Sequence, residues 1–104
     1  MEEDRISDVE RLHLILCERS ILFHGVTLYN SEDTLKIVEI AKRHRLQLAE
    51  IDYFLLHDDG RMQPSYSNDI SVYNHTFEEI REKVISYGEN SYFELLDIED
   101  LLES

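Results

Sequence analysis

Five histidines, one cysteine and 23 carboxylates are the side chains with chemistry to offer in this 104-residue chain. The histidines are His13, His24, His44, His57 and His75, and none stands in a zinc-ligand spacing such as H-E-x-x-H. His57-Asp58-Asp59 sets an imidazole beside two carboxylates and could offer nitrogen and oxygen to a cation. Gly60 follows at once, and Asp-Asp-Gly between two extended runs is first of all a turn signal. The glutamate that would complete an EF-hand loop is missing after Gly60. Cys17 has no cysteine to pair with and falls on the apolar side of a helical pattern, where a thiol acts as a small core residue. There is no G-x-S-x-G elbow and no glycine-rich phosphate loop. The expectation is a protein that is not an enzyme and needs neither metal nor other cofactor.

Recognition chemistry is better represented. Between His57 and Tyr73 the chain carries Asp58, Asp59, Asp69, Tyr66 and Tyr73, with Gln63, Ser65 and Asn68 among them. Carboxylates take arginine or lysine in charge-assisted hydrogen bonds. Tyrosine brings apolar area and a hydroxyl at low entropic cost, which suits an interface. The alternative is a surface loop whose tyrosines lie down on a sheet.

Net charge narrows the partners. With 23 acids against 10 Lys and Arg, the formal charge is −13. Such a polyanion repels nucleic acid and anionic membranes and attracts basic proteins. The charge is uneven. Residues 1–30 carry −3, residues 31–45 carry +1, residues 46–75 carry −4 and residues 76–104 carry −7.

The remaining composition sets the frame. One domain, residues 1–104, is expected, and folding a chain of this size hides roughly two-thirds of its unfolded surface. An apolar fraction of 42% with ten aromatics argues against disorder. The lone cysteine, the Met-Glu-Glu-Asp start and the lack of a long apolar run lead us to expect a cytoplasmic protein with no membrane contact.

Periodicity supplies the elements that would position these groups. Ser7 and Glu10 have the form of a capping box, and Val9, Leu12, Ile15, Leu16, Arg19, Leu22 and Phe23 follow at helical spacing, Arg19 being the one polar interruption. A helix to about residue 20 is expected, with Gly25 as its C′ residue; the alternative is a strand that begins at Ile21 and runs to Tyr29. A second helix starts at Asn30 or Ser31, with acids in its first turn, Lys42, Arg43 and Arg45 at its end, and an inner stripe of Leu35, Val38 and Ala41 flanked by Ile37 and Ile40. Leu46 to His57 reads as a long strand whose apolar phase changes near Ala49-Glu50, which suggests a bulge. Arg61 to Gln63 returns as a short strand ended by Pro64, and Ile70 and Val72 anchor the polar stretch beyond it. Thr76 and Glu79 form another capping box, opening a helix striped by Phe77, Ile80, Val84 and Tyr87 and ended by Gly88. A last strand covers Tyr92 to Ile98, and residues 99–104 form an acidic tail containing Leu101 and Leu102. The fold class is α/β, in the α+β sense: a small sandwich of about three helices on a mixed, mainly antiparallel sheet.

From Asn30 onward the motif order resembles small α/β immunity proteins of bacteriocin and contact-dependent growth inhibition systems. The resemblance rests on the acid-started helix from Ser31 to Ala41, the run from Leu46 to Phe54, Asp59-Gly60-Arg61-Met62-Gln63-Pro64-Ser65, and Asn90-Ser91-Tyr92-Phe93-Glu94-Leu95-Leu96. Those proteins often carry a Gly-Ile-(Asp/Glu)-Gly-Phe strand, a Gly-x-Gln-Pro-Ser turn and a terminal Tyr-Phe-Glu strand. The resemblance covers roughly the last 70 residues. It implies an antitoxin that neutralises a cognate toxin, commonly a nuclease and often one that attacks transfer RNA. A nuclease keeps a basic groove for phosphate, and an acidic protein can fill it with carboxylates. Asp52, Asp58, Asp59 and Asp69 are then candidate contacts and Tyr66 and Tyr73 candidate anchors, in a monomer or weak dimer. The rival expectation is a nucleic-acid mimic from a mobile element that acts on a defence or repair enzyme.

Overall fold

The structure is a computed structural model, and it describes residues 2–18 and 20–96. Helix α1 (Glu2–Glu18) leads to a hairpin of β1 (Ile21–Phe23) and β2 (Val26–Asn30). Helix α2 (Ser31–His44) and strand β3 (Glu50–Leu56) follow. Next come β4 (Met62–Pro64), a 3-10 turn at Tyr66–Asn68, β5 (Ile70–Ser71), α3 (Phe77–Ser86) and β6 (Ser91–Leu96). The result is a small α+β fold, three helices on a six-stranded sheet whose strand pairings are antiparallel throughout.

The sheet runs β1-β2-β6-β3-β4, with β5 also paired to β3. The last of the described strands in sequence therefore lies in the middle. Both β2 and β3 are antiparallel to β6, so they run parallel to each other two places apart, and α2 makes the crossover between them. Phe93 on β6 sits opposite Tyr29 on one side and Tyr53 on the other, fully buried. The Tyr53 ring meets Phe93 edge-on at 5.8 Å and Tyr87 at 4.7 Å, both favourable aromatic geometries. One apolar cluster joins Leu12 and Ile15 of α1, Ile37, Val38 and Ala41 of α2, Ile80 and Val84 of α3, and Ile51 and Phe93 of the sheet. The helices thus form one layer over one face.

Both later helices are capped as their sequence indicates. The Asn30 side chain accepts from the Asp33 N–H at 2.8 Å. Thr76 and Glu79 close a reciprocal box, at 3.1 and 2.8 Å. The α2 stripe is centred differently from its expectation: the flanking Ile37 and Ile40 are as buried as Val38 and Ala41, while Leu35 is half-buried.

The first segment differs from its expectation. Ser7 and Glu10 lie inside α1, which begins at Glu2, so they form no cap. Leu22 and Phe23 belong to β1 and not to a helix. His24 and Gly25 both have positive φ, 50° and 82°, the geometry of a two-residue hairpin turn whose twist matches its strands. Gly25 therefore turns a hairpin and does not end a helix. The long strand is also shorter: regular pairing starts at Glu50. The change of phase at Ala49 is present, since its N–H donates to Leu96 and its carbonyl accepts from Val72, on different neighbours. Arg19, the Cys17 side chain, Ile98 and residues 99–104 with Leu101 and Leu102 lie outside the described residues.

Helix α1 is tied to α2 by charge as well as apolar contact. The Asp8 carboxylate accepts from Arg43 Nη1 and contacts His44 Nε2, each at 2.8 Å. His44 first, and Arg43 with it, hold the Asp8 carboxyl below its ordinary value. Its contribution to stability is then in force above about pH 4 and is lost as the pH falls further. Asp8→Asn should lower the urea midpoint at pH 6, with the difference from the native chain shrinking toward pH 3. At the centre of the sheet, Phe93→Leu should cost about 1–1.5 kcal/mol and Phe93→Ala about 3–5 kcal/mol in equilibrium urea unfolding.

Candidate acidic interface

Alternation along β3 decides which side chains leave the core. Ile51 and Tyr53 point into the helix layer and are buried, so Glu50, Asp52 and Phe54 take the opposite face. The β6 register sets Glu94 directly opposite Asp52 and Tyr92 opposite Phe54. Two carboxylates thus face each other across neighbouring strands.

A gap in the sheet edge brings in a third. Strand β4 pairs with Phe54–Leu56 and β5 with Glu50–Ile51, leaving the middle of β3 without a complete partner strand. The chain between them bulges out through the 3-10 turn. Tyr53 is served by substitutes: the Ser65 N–H donates to its carbonyl at 3.0 Å, and its own N–H donates to Asp69 Oδ1 at 2.9 Å. The turn is held down by Tyr87, whose hydroxyl donates to the Asn68 carbonyl at 2.9 Å. Asp69 is therefore placed by a backbone need, since an unpaired buried N–H is costly.

The consequence is a cluster. Oxygens of Glu50, Asp52 and Asp69 lie within 4.8 Å of one another. Asp52 Oδ1 is buried and meets no hydrogen-bond partner among the described residues. Burial, then the charges of Asp69 and Glu50, push the Asp52 carboxyl up to about 7, with a hydrogen bond to Glu50 and the Glu94 charge adding to the rise. Near neutral pH the cluster accordingly retains part of one proton. Carboxylate oxygens in this number and reach suit a hard cation or the ammonium or guanidinium of a basic side chain. Either would take the place of that proton.

The sequence candidates separate into three locations. Asp52 and Asp69 belong to the cluster. Asp58 and Asp59 lie in the exposed β3–β4 turn, six or seven residues further along, about 20 Å for extended chain. Asp59 is engaged there by Arg61, through Nε at 2.6 Å and the backbone N–H at 3.1 Å, and these bonds hold its carboxyl low. His57 Nε2 contacts Gln63 at 2.6 Å, so the His-Asp-Asp triplet is bound into its own hairpin. Tyr73 is 66% exposed at the other end of β3, with its hydroxyl accepting weakly from Leu48 N–H at 3.4 Å. The Tyr66 side chain lies outside the described residues. Glu50 and Glu94 were not among the candidates. Glu50 stands two residues before Asp52, the period of one strand face, and that spacing was a usable signal. Glu94 required the knowledge that β6 adjoins β3.

A raised Asp52 value fixes the sign of its pH dependence. Between about pH 4 and 7 the folded chain holds a proton that the unfolded chain has released, so stability falls as pH rises through that window. Asp52→Asn should remove this slope and stabilise the protein at pH 8 by about 1–2 kcal/mol, the carboxyl being partly solvated. Urea unfolding of both chains from pH 5 to 9 measures it.

Among the described residues, no helix is long and apolar enough to cross a membrane. No protein-family model matches the chain, and neither a curated protein nor a solved structure matches it significantly.

Proposed function

We propose that this chain is an immunity-type inhibitor that binds and blocks a basic protein domain, a toxin nuclease by the resemblance of its motifs. The observation that carries the reading is the Glu50–Asp52–Asp69 cluster, with Glu94 beside it, on a chain of net charge −13. Like charges gathered so closely lower stability in the free protein and gain value only against a cation. The long-range field speeds capture of a basic partner, and desolvated contacts at the cluster hold it. Phe54 and Tyr92, paired across the strands on the same face, supply apolar area next to the charges. Blocking needs no chemistry from the inhibitor, since carboxylates seated in a phosphate-binding groove exclude the substrate.

Binding to a basic toxin nuclease domain, sought first among the products of adjacent genes, is the test, by titration calorimetry at low and moderate salt. Nanomolar affinity that weakens with salt, together with loss of toxin activity, is the expected outcome. Glu50→Gln with Glu94→Gln should weaken the complex at least tenfold, and Asp58→Asn with Asp59→Asn should chiefly slow association. Repeating the titration at pH 7 in buffers of different ionisation enthalpy should reveal proton release, because a seated cation expels the Asp52 proton. Unchanged binding by the Glu50/Glu94 variant would remove the cluster from the interface.

A further inference from the structure

A groove of about 610 Å3 opens on a different part of the surface, at the end of α2. We infer that it is a binding site for a small monocarboxylate with an apolar body. Its floor is Ala41, Leu46, Leu48 and Val72, all buried side chains. Its rim carries two cations, Lys42 and Arg45, and the exposed ring of Tyr73. The remaining lining residue, Gln47, is neutral, so among the described residues no acid lines the groove. This volume lies within the range of small-molecule sites, and an apolar floor with a few polar groups at the rim is their usual composition.

The rim cations are placed for an anion. Lys42 Nζ donates to the Val72 carbonyl at 3.0 Å, which fixes the ammonium on the groove wall and leaves two of its three N–H donors over. Of the described acids on α1 and α2, Asp8 is occupied by Arg43 and His44, and Glu39 by Lys36 and Arg43. More distant carboxylates are screened over a Debye length of about 8 Å at physiological salt. Among the described residues the charge at this rim is therefore positive although the chain is strongly negative.

Arg45 gives an independent reason. It ends α2 in the left-handed region, at φ 55° and ψ 39°, where its N–H caps the Ala41 carbonyl. Glycine is the usual residue at such a helix end, because a side chain there is strained. Among the described residues only His24 shares this feature without being glycine, and it lies in a hairpin turn. An arginine standing at a strained position on a groove rim fits a guanidinium with a ligand to hold. A guanidinium binds a carboxylate through paired hydrogen bonds, and the apolar floor receives the ligand body.

The test uses the full chain labelled with 15N, with hexanoate as probe at pH 7.5. Hexanoate should shift the backbone signals of Ala41–Leu48 and Val72–Tyr73 saturably, with half-saturation on the order of a few millimolar for so open a groove. Acetate, which lacks the body, and 1-hexanol, which lacks the charge, should each bind at least about tenfold more weakly. Arg45→Gly should raise the thermal midpoint by relieving the strained backbone and still lose about tenfold in hexanoate affinity. Lys42→Gln should weaken binding less. Equal shifts from hexanol, undiminished affinity in the Arg45→Gly chain, or no saturable shift up to 20-fold above that half-saturation would each overturn the proposal.

Discussion

The last strand made is the one on which the sheet closes. β6 lies between β2 and β3, so neither half of the sheet is complete until the C-terminal part of the chain inserts. Phe93 makes that insertion favourable, as a fully buried ring set between Tyr29 and Tyr53 and extended by Tyr87 from the end of α3. Long-range pairing of this kind carries a loop-closure cost that only such burial repays. The crossover helix α2 then covers the seam, and α1 and α3 flank it.

The same insertion creates the electrostatic problem of the molecule. Once Phe93 faces Tyr53, register leaves Glu94 no position except opposite Asp52. Strand alternation adds Glu50, and the gap between β4 and β5 adds Asp69, whose carboxylate completes the hydrogen bonding of Tyr53. Asp69 thus serves the backbone while its charge raises the Asp52 proton affinity. Core packing and backbone pairing, both favourable, concentrate carboxylates that disfavour one another. A fold that tolerates such a conflict at one place, and caps and pairs its groups well elsewhere, points to that place as a site of action.

What could be read in advance follows from how local each determinant is. Helices α2 and α3 were legible because Asn30, Thr76 and Glu79 act within one turn and the apolar stripe repeats inside the segment. The Asp58-Asp59-Gly60 turn was legible for the same reason. The start of α1 was misplaced because Ser7 and Glu10 satisfy a capping pattern that a helix interior also permits. Ile21 to Phe23 matched helical spacing and strand composition equally, and only pairing with β2 decided between them. The two-residue β5 has too little sequence to show a period. Within the site, Asp52 and Asp69 could be named for their charge, but their meeting depends on a gap in the sheet edge. Glu94 depends on sheet order, which no local pattern carries.

Charge itself needs a local reading. The formal value of −13 counts Asp52 as ionised, yet burial, and then the charges of Asp69 and Glu50, hold its proton to about pH 7. Free protein at neutral pH is therefore less negative at the cluster than its composition states. A cation approaching this face meets a site that becomes more acidic as it arrives, because its own charge lowers the Asp52 value and expels the proton. At the far end of α2 the order is reversed, with the half-buried Lys42 and the exposed Arg45 around an apolar floor and the described acids Asp8 and Glu39 already paired. The molecule is strongly acidic as a whole and divided in its parts, so the potential at either part follows from its own side chains more than from the total.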